Sequence, residues 1–274
     1  MCSKKELGFF HNHPNLEPTE AYRNYVGYFP GIADSDNWLL EATPTYLDGG
    51  RKTAKRLQEV LYGPKLIFVL REPTSRLISY YKSKHGLETS KVSGVSFEQF
   101  VEKALAQESS SMDDSERRKS AGWQLAKAHY GRFLLEYLEV FDATDMLVTF
   151  FDDLIESPLR VTEQVCRFLD VDSAFYMNYR FLIENKSRVH RSAGIRTLAS
   201  HMNAVAEPIL NRVPSWRRMF RTSYNLVNVS KDADIPVNEN IISELAKYYA
   251  PYNRQTAEVL SDRFALTDLP LWLA

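Results

Sequence analysis

The sequence has almost no cysteine, no long apolar run and almost no net charge, and each shortage removes a class of answer. Its two cysteines, Cys2 and Cys166, supply neither a disulfide framework nor a metal-ligand spacing. A reducing compartment is therefore the expectation. No stretch approaches the ~18 apolar residues of a membrane span. The opening MCSKKELGFFHNHP carries charge but no apolar signal core, so the chain reads as cytoplasmic, with no membrane segment. On that reading the two glycosylation-type triplets, at Asn185 and Asn228, are accidental. A formal net charge of −1 argues against nucleic acid as a partner, and any anion-binding site has to be local.

What is present fits a substantial core: 44% of the 274 residues are hydrophobic and 12% aromatic. KLIFVL (65–70), after the Gly63-Pro64 breaker, reads as a buried strand, and the following TSRLISYYKSKHG as a helix with Leu77, Ile78 and Tyr81 on one side. SFEQFVEKALAQ (96–107) reads as a helix capped by Ser96, with apolar residues at 97, 100, 101 and 104. The polar run 108–120 predicts an exposed loop. A helix over 130–141, a strand within 145–154, a helix with Ser157 as cap and Pro158 at its first position, and a late helix over 241–260 complete the pattern. Strands alternating with helices argue for an α/β fold, a parallel sheet flanked by helices, in a single domain spanning 1–274. The segment 186–240 gives no clear pattern, and oligomeric state is not legible.

One stretch breaks its own apolar logic. After FVL the chain places Arg71, Pro73, Arg76 and Ser79 within nine residues. A strand that ends in arginine and passes through proline into a helix is a place where anions are held, because open α/β sheets bind ligands at the carboxyl ends of their strands. A guanidinium meets a phosphate with two parallel hydrogen bonds. As bare residues, Arg71 and Arg76 fit better a solvated face that pairs with nearby acids.

The pattern strand–Arg-X-Pro-X-X-Arg-X-X-Ser-X-Tyr resembles the 3′-phosphate-binding segment of the sulfotransferases that use 3′-phosphoadenylyl sulfate. KKELGFF (4–10) is similar to the Lys-Glu-X-X-Phe-Phe segment of heparan sulfate-type and related bacterial members. LLEATPTYL (39–47) is similar to their Glu-Lys-Thr/Ser-Pro-X-Tyr segment. The later stretches GRFLLEYLEVF, MLVTFFDDLIESP, VCRFLDV and KYYAPYNRQTAEVLSDRF follow in the same order, so the resemblance spans most of the chain.

The resemblance implies a P-loop NTPase-like fold and transfer of a sulfuryl group from 3′-phosphoadenylyl sulfate to a hydroxyl-bearing small molecule or glycan, without a metal. It implies Glu41 as the general base, Arg71 and Ser79 on the cofactor 3′-phosphate, Lys231 in a cofactor-binding loop, and Lys5 near the sulfate or acceptor. His13, with His11, is a rival base or acceptor contact, since imidazole titrates near neutrality. Read without the family, Glu41 is also an acid preceding a Thr-Pro turn. Two departures stand out. Ala42 replaces the lysine usual beside the glutamate. The family's first strand and its glycine-rich 5′-phosphosulfate loop, ending Lys-X-Gly-Thr/Ser, have no counterpart, for none of the eleven glycines precedes Ser or Thr. The expectation is a fold with that strand and loop missing. The same departure sets a second expectation beside the enzyme: a non-catalytic binding protein, or an inactive fragment.

Overall fold

The computed structural model describes residues 2–4, 6–31, 38–84, 94–108, 114–181, 189–190, 229–230 and 237–274. Met1–Arg71, His129–Phe181 and Tyr249–Ala274 contribute to one compact unit, and the described residues within Glu72–Ala128 and Leu182–Tyr248 to a second.

In the first unit a short α1 (Phe9–Asn12) and α2 (Pro18–Val26) precede a 3₁₀ turn, Pro44–Gly49, that runs directly into α3 (Gly50–Val60). Proline at the first position of α2 and the Glu17 carboxylate, which accepts from the N–H groups of Thr19 and Glu20, start that helix. Helix α3 buries Thr53, Ala54, Leu57 and Val60 on one face and packs against α8 (Tyr130–Leu138). Its Arg56 is 8% exposed and donates to the Leu16 carbonyl at 2.5 Å, which pins the turn between α1 and α2.

The sheet is the pair β1 (Leu66–Leu70) and β2 (Met146–Phe150). They run parallel, in register from Leu66 opposite Met146 to Leu70 opposite Phe150. A parallel pair needs a long crossover, and residues 71–145 supply it. Phe68 and Leu70 are buried, as are Met146, Val148, Thr149 and Phe150, whereas Val69, expected inside with the rest of the run, is exposed. Helix α9 (Phe151–Glu156) leaves β2 at once, and α10 (Pro158–Phe168) follows. Proline opens α10 as expected, but the Ser157 side chain makes no cap hydrogen bond.

In the second unit, α4 (Pro73–Lys84) buries Leu77 and Tyr81. Helix α5 (Phe97–Glu108) buries Phe97, Phe100, Val101 and Ala104, the positions read from the sequence. Ser96 and Gln99 exchange side chain-to-backbone hydrogen bonds of 3.0 and 3.2 Å, a reciprocal cap. The polar run expected as a loop instead contains α6 (Asp114–Lys119), and α7 (Gly122–Ala126) packs on α5. There Gly122 has no room for a side chain, because an added Cβ would lie 2.6 Å from the Glu108 nitrogen. A two-residue antiparallel pair, β3 (Val189–His190) and β4 (Val229–Ser230), also lies among the described residues. The long α11 (Glu239–Phe264), whose residues from Tyr249 on belong to the first unit, carries Pro251 within it.

Candidate active site

Glu41 lies in an extended segment just before the 3₁₀ turn, half-buried among hydroxyl groups. The Thr43 hydroxyl donates to its Oε1. Thr43 Oγ1 in turn accepts the Gly8 backbone N–H at 3.0 Å. With a lone pair occupied by that amide, the Thr43 proton is directed at the carboxylate. The Tyr46 hydroxyl accepts the Phe10 N–H at 3.4 Å and lies within the field of the Glu41 carboxylate. The Tyr25 hydroxyl is likewise close enough to Glu41 to feel its charge. Both phenols are pushed well above their ordinary value, first by burial and then by the negative charge of Glu41. The arrangement holds a carboxylate as an acceptor of hydroxyl protons, which is the chemistry a general base for an alcohol needs.

This cluster predicts an optical result. In alkaline titration Tyr25 and Tyr46 should be among the last of the 15 tyrosines to ionise. Glu41→Gln should bring these two forward and leave Tyr137 in place, since Tyr137 is raised by burial, Asp48, Tyr46 and Glu136 rather than by Glu41. An unchanged phenolate absorbance curve would show that Glu41 is not beside them. The sign for stability follows. Neutral buried phenols favour the folded state fully below pH 10.0, and their contribution is lost as the pH rises above it toward the raised values.

His11 is engaged on both ring nitrogens, Nε2 with Thr53 Oγ1 at 3.0 Å and Nδ1 with Thr45 Oγ1 at 3.4 Å. His13 is half-buried with its ring 4.7 Å from that of Phe9. It lines a cleft of about 400 Å³ together with Phe9, Arg23, Asn24, Gly27 and Tyr28. No hydrogen bond joins either imidazole to Glu41 among the contacts of the described residues. Ala42 is exposed.

Arg71 is the first residue past β1, at the carboxyl edge of the parallel pair. Its guanidinium lies over the ring of Phe151, 4.5 Å from the centroid. Its carbonyl accepts the Tyr130 hydroxyl at 2.9 Å. Arg76, by contrast, donates to the Gln124 carbonyl and ties α4 to α7. The expected pairing of Arg76 with a nearby acid does not describe that bond. The amino end of α4 is also not open to an anion as expected. Glu72 caps it, accepting from the N–H groups of Thr74 at 2.8 Å and Ser75 at 2.5 Å. An anion at this strand end is left to side chains. Ser79 sits half-buried on α4, in the second unit. Lys5 and Lys231 lie outside the described residues.

The sequence reading missed Tyr25, Tyr46, Thr43, Tyr130 and Phe151. Only the Thr-Pro-X-Tyr spacing after Glu41 hinted at two of them. Among the described residues no group of three His, Cys, Asp or Glu side chains is placed to hold a metal, and no helix is long and apolar enough to cross a membrane.

A family model described as "Sulfotransferase domain" matches residues 55–204. No curated protein is significantly similar in sequence. Among solved structures, a crystal structure of a sulfotransferase from Alicyclobacillus acidocaldarius superposes with a TM-score of 0.60 at 19% identity, covering 100% of this chain and 87% of that one. At that identity the likeness speaks for the fold, an α/β sulfotransferase fold built around a parallel sheet.

Proposed function

The chain belongs to the sulfotransferase family, and on that premise we propose that it transfers a sulfuryl group from 3′-phosphoadenylyl sulfate to an acceptor hydroxyl of a carbohydrate. The acceptor oxygen attacks sulfur, the bond from sulfur to the phosphate oxygen breaks, and 3′-phosphoadenosine 5′-phosphate leaves. The acceptor proton passes to Glu41. Arg71 and Ser79 are the ligands of the 3′-phosphate, with Lys231 in the nucleotide-binding loop, and Lys5 and His13 on the acceptor side.

The observation that carries this reading is the hydroxyl-lined carboxylate. Thr43, polarised by the Gly8 N–H, already presents a proton to Glu41, so an alcohol brought to the same group finds a preorganised acceptor. Incubation with the ³⁵S-labelled donor and a panel of glycans and small alcohols tests it. Label should appear on an acceptor in proportion to released 3′-phosphoadenosine 5′-phosphate. A second reading, a protein that binds the nucleotide without transfer, is favoured by the absence of any Gly-Ser or Gly-Thr pair in the sequence. Nucleotide binding with no transfer to any acceptor would select it.

A further inference from the structure

Arg71 and Phe151 are not neighbours by chance. The parallel register sets Leu70 opposite Phe150, so the next residue of each strand emerges at the same edge of the sheet. The guanidinium carbon of Arg71 stands 4.5 Å from the centroid of the Phe151 ring, where the ring quadrupole attracts a cation. The backbone of Arg71 is held from the other direction by the buried Tyr130 hydroxyl at 2.9 Å. Tyr130 and Phe150 both set their rings edge-on to Trp272, at 6.2 Å. The strand end is therefore buttressed, and the ring of Phe151 is one surface against which the guanidinium of this long, flexible side chain rests.

We propose that Phe151 is a positioning residue for Arg71, its ring a support against which the guanidinium is placed for the dianionic 3′-phosphate of the nucleotide. The proposal rests on the sulfotransferase reading of Arg71. It predicts a specific loss. Phe151→Leu should weaken 3′-phosphoadenosine 5′-phosphate binding roughly 3- to 30-fold, the range of a cation–π contact. Adenosine 5′-phosphate, which lacks the 3′-phosphate, should bind as before. Phe151→Tyr, which keeps the ring, should bind like the wild type. Pentafluorophenylalanine at position 151 keeps the shape but inverts the charge distribution of the ring, and should behave like leucine even where leucine impairs folding.

Proton NMR of the Arg71 side chain supplies a readout independent of ligand. Its δ and ε protons should be shifted upfield by the ring in the wild type and not in Phe151→Leu. Equal weakening of both nucleotides would make Phe151 a contact for the nucleoside and overturn the proposal. So would unchanged 3′-phosphoadenosine 5′-phosphate affinity in a variant whose ring shift is lost, and so would absence of the shift in the wild type. A wild type that shows the ring shift but binds no 3′-phosphoadenosine 5′-phosphate overturns the sulfotransferase reading of the arginine, and the role of Phe151 with it, while the stack itself stands.

Discussion

Glu41→Gln should lower kcat for sulfuryl transfer by about 10²- to 10⁴-fold, the usual contribution of a positioned general base. Affinity for 3′-phosphoadenosine 5′-phosphate should not change. Glutamine is the informative replacement because it is isosteric and keeps an oxygen to accept from Thr43, so the chain from the Gly8 N–H through the Thr43 hydroxyl survives. It removes only the ability to take a proton, together with the charge that raises Tyr25 and Tyr46. Steady-state kinetics separate the possibilities. A fall in kcat and kcat/KM together places the carboxylate in the transition state, whereas a rise in KM alone would make it an acceptor-binding group. Retained kcat would remove Glu41 from the chemistry altogether.

A large effect on stability is expected at Gly131, where α8 crosses α11. A Cβ there would stand 2.9 Å from the Thr256 nitrogen, 3.0 Å from its Cα and 3.1 Å from the Gln255 carbonyl carbon. All three are backbone atoms, so no side-chain rotation can relieve the clash. The same contact carries a buried hydrogen bond, from the Gly131 N–H to Thr256 Oγ1 at 3.0 Å, and Thr256 passes its own proton to the Tyr252 carbonyl at 2.7 Å. Overpacking of this kind costs about 1–3 kcal/mol and sometimes more. Alanine recovers up to ~1 kcal/mol of helix propensity over glycine. Valine recovers less and adds two methyl groups to the clash. The order of stability should therefore be glycine, alanine, valine, with Gly131→Val lowering Tm by roughly 5 °C or more at ~2–4 °C per kcal/mol. Thermal unfolding followed by circular dichroism checks it, and equal Tm for all three would mean that the helices do not meet so closely.

The elements that frame the site were legible because their signals are local. KLIFVL is bounded by Gly63-Pro64 and Arg71, and it is β1 almost to the residue. The apolar positions of α5 and its Ser96 cap follow from a 3.6-residue period and one side chain. Glu41 and Arg71 stood out because the residues around them resembled a family. What stayed hidden is long-range. Phe151 reaches Arg71 only through the β1–β2 register, across about 80 positions of sequence. Tyr25 reaches Glu41 only once α2 has packed in the core beside the aromatic residues of α1. The capping of α4 by Glu72 was local yet misread, since the glutamate stood between two residues that pointed to an anion, and its own carboxylate is the anion that the helix end holds. Helix α6 hid in a charged run with no apolar face to betray it.

The central claim is that this chain recognises a 3′-phosphorylated adenine nucleotide through Arg71. Calorimetric titration of the 274-residue protein with 3′-phosphoadenosine 5′-phosphate, beside Arg71→Ala, tests it most directly. Binding by the wild type and a loss of ~30-fold or more in the variant is the predicted result, at the ~2–5 kcal/mol that truncating one partner of a charged hydrogen-bonded pair costs. Equal affinity in the two proteins, or no heat of binding from a folded wild type, would contradict it.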